Sequence, residues 1–185
     1  MISIIGGKFK RKKINVPEDY VRPTSLIKRE AIFSILESLA LKKFYNLYKN
    51  KCFIDFFSGT GAFGLEAISR GASFSYFYDK NNIEMLKKNC DLICLKNQYK
   101  IFSQDVMKIE RVDIEHPLSA IFIDPPYSLD PFDFLLNKII KSDILEKNSI
   151  IVIETHKNIS VKIPKTLDII KEKKFGITKL IFITI

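Results

Sequence analysis

The chain has 185 residues, of which 46% are hydrophobic, 12% aromatic and 28% charged, a composition typical of a globular protein rather than a disordered or fibrous one. No apolar run reaches the ~18–20 residues that span a bilayer, and the first residues lack a signal-peptide pattern, so we expect a cytoplasmic protein without a membrane segment. The length predicts one domain with a small appendage.

The formal net charge of +9 is concentrated at the two ends of the chain. Residues 1–30 carry +5, residues 31–156 carry −1, and residues 157–185 carry +5. A general enrichment in lysine would not deplete the middle of the chain. The pattern therefore favours a polyanionic partner, nucleic acid above all, over a merely solvated surface.

The cysteines do not predict a metal site. Cys52, Cys90 and Cys94 are odd in number, and Cys90 and Cys94 lie one helical turn apart without a matching second pair. We expect them to be reduced packing residues, and we expect no metal.

The N-terminal region predicts a basic hairpin followed by a helix. Residues 2–5 and 12–16 read as short strands around the Gly6-Gly7 turn, and we assign residues 1–22 to this appendage and residues 23–185 to the main domain. Thr24 or Ser25 can cap a helix. Its apolar residues recur at helical spacing: Leu26, Ile27, Ala31, Ile32, Ile35, Leu36 and Leu39.

From residue 51 onward, apolar strands alternate with helical segments. The predicted strands are 52–57, 74–78, 100–102, 120–123 and 150–153, and the predicted helices are 62–70, 81–96 and 131–141. Such alternation is typical of a parallel sheet covered on both faces. Residues 167–173 and 177–185, joined near Gly176, predict a terminal hairpin with an antiparallel strand.

A glycine-rich loop follows the first strand of this region. Gly59, Gly61 and Gly64 form a G-x-G-x-x-G pattern between a strand and a helix, where the backbone can approach a ligand closely. The next strand ends at Asp79, whose carboxylate can accept hydrogen bonds from ribose hydroxyls or cap the helix that follows. Dinucleotide dehydrogenases share these features. The acid four residues before Gly59, in a D-x-x-x-G-x-G arrangement starting at Asp55, instead resembles motif I of class I methyltransferases.

The most specific signal is the sequence Asp124-Pro125-Pro126-Tyr127 after the strand 120–123. Two consecutive prolines make a stiff exit from the strand. The Asp124 carboxylate and the Pro125 carbonyl can each accept a hydrogen bond from an exocyclic base amine, which localises the nitrogen lone pair, and Tyr127 can stack on the base. The alternative is that this sequence has no catalytic role and is only a proline-rich strand end followed by a packed tyrosine.

With both motifs the whole chain resembles the RsmD family, bacterial methyltransferases that act on the exocyclic amine of a guanine in small-subunit (16S) ribosomal RNA. Residues 4–9 resemble the family's opening strand, and Arg22-Pro23-Thr24 with Arg29-Glu30 and Phe33 resembles its R-P-T-x-x-x-x-R-E-x-x-F element. The resemblance implies a Rossmann-like class I methyltransferase fold. It has a mostly parallel seven-stranded sheet with one antiparallel strand, helices on both faces and a small N-terminal hairpin.

The resemblance also implies S-adenosylmethionine as the cofactor and ribosomal RNA, within the small subunit or its precursor, as the partner. We expect a monomer. Asp105 falls where class I enzymes contact adenine, although a helix N-cap explains it nearly as well. Glu154 matches a family acid without an assigned role. The candidate site residues fall into three groups, of which the RNA-binding group follows from the basic N-terminal charge: catalytic Asp124, Pro125, Pro126 and Tyr127; cofactor-binding Asp55, Ser58, Gly59, Gly61, Asp79 and Asp105; RNA-binding Lys8, Lys10, Arg11, Lys12, Lys13, Arg22 and Arg29.

Several alternatives stay open at this point. Arg22 and Arg29 are as well explained by intramolecular salt bridges as by RNA or cofactor contact. Arg11 replaces a family glycine and Ser34 a frequent asparagine. A DNA adenine methyltransferase lacks support because no segment is long enough for a target-recognition insertion. A non-catalytic RNA-binding module fits the Asp124 motif poorly, and a nicotinamide oxidoreductase fits the acid at Asp55 poorly.

Overall fold

The computed structural model of the chain describes residues 1–17 and 24–185, with the side chains of Thr24 and Ser25 outside this description. Nine strands and four helices follow one another along the described chain. In order they are β1 (Ile2–Ser3), β2 (Lys13–Ile14), α1 (Thr24–Lys42), β3 (Cys52–Phe56), α2 (Ala62–Ser69), β4 (Phe74–Asp79), α3 (Ile83–Ile93), β5 (Tyr99–Ser103), β6 (Leu118–Ile123), α4 (Phe132–Lys141), β7 (Ile150–His156), β8 (Asp168–Phe175) and β9 (Thr178–Thr184).

The central sheet has seven strands in the order β5-β4-β3-β6-β7-β9-β8. The first five run parallel, and β9 is antiparallel to both of its neighbours. This is the predicted mostly parallel sheet with one antiparallel strand. No helix among the described residues is long and apolar enough to cross a membrane.

Alternate residues of the central strands supply two hydrophobic cores, because successive side chains of a strand point to opposite faces of the sheet. Phe53, Phe122 and Val152 pack on one face with residues of α1, α2 and α3. Ile54 and Ile153 pack on the other face with residues of α4. Both faces are therefore covered by helices, as the sequence predicted.

The N-terminal hairpin is held to α2 by the buried carboxylate of Glu66. Its oxygens accept hydrogen bonds from the backbone of Ile5 at 2.8 Å and Gly6 at 2.7 Å, and from Arg70 Nε at 2.9 Å. These bonds engage backbone N–H groups just past β1, and the Asn15 amide just past β2 donates to Asn89 Oδ1 at 2.8 Å. Both strands are therefore shorter than the sequence predicted. Ile4 packs in the core shared with the helices of the main domain.

Other element boundaries differ from the prediction for local reasons. Helix α3 begins at Ile83 rather than 81, because Asn82 adopts a left-handed conformation (φ 52°) and the Asn81 amide donates to Asp79. Helix α3 ends at Ile93, and Leu95 and Gln98 then form a turn closed by two hydrogen bonds.

Candidate active site

A cavity of about 380 Å³ opens at the carboxyl ends of strands β3 to β7, within the ~300–1,000 Å³ range of ligand pockets. In parallel α/β sheets ligands bind outside these strand ends. The cavity brings together the acids that the sequence singled out at or near the ends of five strands, β3 to β7. Its polar lining comprises Lys28, Arg29, Asp55, Ser58, Thr60, Asp79, Lys80, Asn81, Asn82, Asp105, Asp124 and Glu154.

The glycine loop turns sharply between β3 and α2. Phe57, Gly59 and Gly61 all have positive φ, at 59°, 52° and 78°. A Cβ on Gly59 would meet only the Phe57 carbonyl oxygen at 3.9 Å, whereas a Cβ on Gly61 would lie 2.6 Å from Leu86 Cδ1. Gly59 thus leaves space above the loop, while Gly61 allows the loop to pack closely on α3.

Asp55 organises this loop from beneath. Its Oδ2 accepts a hydrogen bond from the Gly64 amide at 3.1 Å, and its backbone oxygen accepts one from Ser58 Oγ at 2.5 Å. Burial of the carboxyl group raises the pKa of Asp55 well above its usual range, with smaller contributions from Asp124 and Asp79; the Gly64 amide and Arg29 oppose the rise. The neutral acid is therefore favoured over a wider pH range than in an exposed aspartate.

Asp79 connects the loop to β4. Its Oδ2 accepts from the Gly59 amide at 2.7 Å and its Oδ1 accepts from the Asn81 amide at 2.7 Å. Asn81 lies before the first residue of α3, Ile83, so Asp79 does not cap this helix. Each carboxylate oxygen can accept a further bond, so the expected ribose contact stays a prediction.

Asp105 has the capping role that the sequence left open. Its Oδ1 accepts from the Met107 amide at 3.0 Å at the start of a 3-10 helix (Val106–Lys108), and Oδ2 lies 3.0 Å from Lys80 Nζ. These two donors, the Met107 amide first, hold the pKa of Asp105 below its usual value. Asp105 also lines the cavity, and its contact with adenine stays a prediction.

The Asp124 motif forms one wall of the cavity. Asp124, Pro125 and Pro126 line it, and the Pro126 carbonyl accepts a hydrogen bond from Leu129 N at 2.9 Å, which closes a turn. Tyr127 does not line the cavity. Its hydroxyl lies 3.1 Å from Thr178 Oγ1, and its ring meets His156 edge-on with the centroids 6.1 Å apart. Base stacking by Tyr127 stays a prediction, and in this arrangement it would take place outside the cavity.

Helix α1 brings two buried cations to the cavity. Lys28 forms an ion pair with Glu154, and each is 5% exposed. Arg29, 2% exposed, donates to the Ser3 carbonyl at 2.6 Å and lies 3.7 Å from Glu66. These contacts favour an intramolecular role for Arg29 over an RNA contact, because so little of its side chain is exposed. Arg29 lines the cavity, and its contact with a cofactor stays a prediction.

The other residues proposed to bind RNA lie on the hairpin surface. Lys8 and residues 10–13 are exposed, and Lys8 Nζ lies 5.3 Å from the centroid of the Phe9 ring. Arg11 has φ 71°, which explains why a glycine suits this position in the family pattern. Ser34 is exposed on α1, and Arg22 lies outside the described residues.

Comparison with known proteins identifies the family. A family model described as conserved hypothetical protein 95 matches residues 2–184. The chain belongs to this family, the RsmD family.

Relatives in sequence agree with the RsmD assignment, and a solved structure agrees with the fold. The ribosomal RNA small subunit methyltransferase D of Buchnera aphidicola (strain APS) is 33% identical over 93% of this chain and 87% of its own length. The protein of the same name from Haemophilus influenzae is 27% identical over 95% and 90%. The structure of yhhF from Escherichia coli matches with a TM-score of 0.80 and 24% identity over 98% of this chain and 96% of that one, a likeness of fold alone.

Sequence reasoning gave Lys28 and Glu154 no role in the site, although a signal existed. Lys28 lies four and eight residues before the buried Ile32 and Leu36, so it stands on the apolar stripe of α1. A charge on such a stripe requires a partner inside the protein. Phe63, which lines the cavity and stacks on Phe122 at a centroid distance of 4.4 Å, was also missed.

Proposed function

We propose that this chain transfers a methyl group from S-adenosylmethionine to the exocyclic amine of a guanine in small-subunit ribosomal RNA. The relatives from Buchnera aphidicola and Haemophilus influenzae are named as small-subunit ribosomal RNA methyltransferases. The observation that carries the proposal is the position of Asp124, Pro125 and Pro126 in one cavity with the glycine loop. A cofactor loop and an amine acceptor thus face the same space.

The residues of the loop side fit S-adenosylmethionine. The open space above Gly59 admits close approach of a ligand to the backbone, and the carboxylates of Asp79 and Asp105 face the same cavity after adjacent strands. Asp79 would hold the ribose hydroxyls, Asp105 would lie by the adenine, and Asp55 with Ser58 and Gly61 would keep the loop in shape. When bound, the cofactor supplies a methyl group on a positively charged sulfur.

The residues of the other side prepare the amine. An exocyclic base amine is a weak nucleophile because its lone pair is delocalised into the ring. Hydrogen bonds from its two protons to the Asp124 carboxylate and the Pro125 carbonyl localise this lone pair and orient the nitrogen. Orientation of this kind contributes up to ~7–11 kcal/mol in well-aligned reactions. The proton released from nitrogen passes to water.

The RNA is held by the basic surface of the hairpin. Lys8 and residues 10–13 are exposed and carry five positive charges, and phosphate contacts of this kind supply affinity without reading sequence. Specificity then comes from RNA shape and from one accessible base. We place this activity in the cytoplasm, where ribosomal subunits assemble, and on RNA within a partly or fully assembled small subunit.

The test is methyl transfer from labelled S-adenosylmethionine to small ribosomal subunits from cells that lack this gene. N2-methylguanosine is expected in digests of their 16S RNA, and duplex DNA should accept no label. Asp124→Ala and Tyr127→Ala should abolish most turnover while S-adenosylhomocysteine affinity persists, and Asp130→Ala, an exposed acid in the next turn, serves as the control. Absence of labelled guanosine with the unmodified enzyme would contradict the proposal.

A further inference from the structure

The order of the strands places the proposed cofactor residues and Glu154 on opposite sides of the cavity. The proposed cofactor residues lie at or just past the carboxyl ends of β3, β4 and β5, which are on one side of β6 in the sheet. Strand β7, with Glu154, lies on the other side of β6. Neighbouring strands are ~4.8 Å apart, so Glu154 is about 10 Å from the line of β3 and away from the cofactor loop. The β7 side of the cavity is therefore left for the substrate base.

Glu154 stands next to Asp124 on the same face of the sheet. Ile123 pairs with Ile153 in the parallel register of β6 and β7, and Asp124 and Glu154 follow these two residues. Ile123 and Ile153 point into the core beneath the sheet, so the next residue on each strand points to the opposite face, where α1 packs. Lys28 of α1 meets Glu154 there.

Stability alone does not account for this ion pair. Removing two charges from water costs about as much free energy as their mutual attraction contributes. Apolar residues of similar size often stabilise a fold equally well. Lys28 and Glu154 are each 5% exposed, and the surface that they retain lines the cavity. The cavity thus presents one ammonium donor and one carboxylate acceptor next to Asp124.

We propose that Glu154 and Lys28 read the Watson–Crick edge of guanine, an inference that rests on the proposed function. Along this edge guanine has the 2-amine, then the N1–H donor, then the O6 acceptor. With the amine at Asp124 and Pro125, the Glu154 carboxylate accepts from N1–H and the Lys28 ammonium donates to O6. Carboxylate and ammonium have the required polarity, since the first only accepts and the second only donates.

This arrangement selects guanine among the bases that carry an amine. In adenine and cytosine the ring nitrogen next to the amine and on its Watson–Crick side is a bare acceptor, which would face the Glu154 carboxylate without a proton between them. A site built to bond a substrate N–H rejects analogues that lack it, because its own polar groups are then left unpaired. Glu154 and Lys28 are thus specificity residues beside the reacting corner.

A base analogue tests the proposal on the unmodified enzyme. A 16S RNA ligated around a synthetic segment carries either guanosine or 2,6-diaminopurine at the methylated position and is assembled into small subunits. The analogue keeps the 2-amine but has a bare N1 and an amine in place of O6. We expect kcat/KM on the analogue to be lower by about a hundred-fold or more. Equal rates on both substrates would overturn the proposal whether or not any variant folds.

Variants then assign the effect to the two residues. Glu154→Gln should lower kcat/KM on guanosine by about ten- to a hundred-fold. The ratio of kcat/KM on guanosine to kcat/KM on the analogue should also fall, because the glutamine amide can donate to the bare N1. Lys28→Met should also lower the rate on guanosine. Glu146→Gln, in the exposed pair with Lys51, is the matched control and should leave both rates unchanged.

Two further outcomes distinguish this inference from the proposed function. Suppose that Glu154→Gln kept the full preference for guanosine, or that it lost S-adenosylhomocysteine binding rather than discrimination between bases. In either case the assignment of Glu154 and Lys28 to the guanine edge would be wrong, and the proposed methyltransferase activity would be unaffected. If the unmodified enzyme did not methylate guanosine-containing subunits, the proposed function would fail and this inference with it.

Discussion

Replacing Glu66 by alanine should destabilise the whole protein, because this buried side chain joins the hairpin, α1 and α2. Its carboxylate is 0% exposed and accepts from two backbone amides of the hairpin and from Arg70, while Arg29 Nε lies 3.7 Å away. Hydrogen bonds to charged groups contribute ~1.5–3 kcal/mol each, without simple additivity. Removing one partner of a buried ion pair costs about 3–5 kcal/mol, which we take as the expected loss.

Urea unfolding followed by far-UV circular dichroism measures this loss in the free energy of unfolding. For a chain of this size it corresponds to a fall in Tm of roughly 6–20 °C. Asp113→Ala, which removes an acid that is 79% exposed and paired with Arg111, is the control and should change stability by less than about 1 kcal/mol. A Glu66→Ala protein as stable as this control would refute the view that one carboxylate anchors the hairpin.

The other predictions concern the loop, the cofactor and the RNA. Burial raises the pKa of Asp55, so the folded state holds its proton more tightly than the unfolded chain, and stability declines as the pH rises above the ordinary carboxyl range. Asp55→Asn should flatten this decline in urea titrations at pH 5 and 7.5, and an unchanged slope would exclude Asp55 as its source. Asp79→Ala should weaken S-adenosylhomocysteine binding by ~1.5–3 kcal/mol in calorimetry, and unchanged affinity in the folded variant would remove it from the cofactor site. Neutral replacements at residues 10–13 should weaken RNA binding and flatten its salt dependence; a salt slope equal to the parent's would mean that RNA binds elsewhere.

The fold was predictable because the parallel sheet leaves a strong local signature. The central strands are apolar almost throughout, and each is bounded by a turn or a helix, so all strands and helices of the main domain were predicted, with ends displaced by up to three residues. The ends depend on tertiary bonds that the sequence does not display. The late start of α3, for example, follows from the Asp79 carboxylate and the left-handed Asn82.

The acids of the site were predictable for the same reason, since the carboxyl ends of parallel strands meet at one edge of the sheet. The position of the buried cation opposite these acids, Lys28, was not predictable in this way. Lys28 reaches the cavity from a helix that precedes the sheet in the sequence, and only the packing of α1 over β6 and β7 brings it to Glu154. The position of Tyr127 against Thr178 likewise depends on β9, more than fifty residues later.

The edge strand β8 has a consequence for self-association. Lys171, Lys173 and Lys174 are exposed along it, and its pairing with β9 is interrupted by an irregularity between Ile169 and Lys171. An open edge invites a strand from another molecule, and lysines and bulges are common defences against such pairing. A polyanion that neutralises these lysines would make strand pairing between molecules at β8 more favourable. At high concentration the protein should therefore self-associate least when neither polyphosphate nor excess RNA is present.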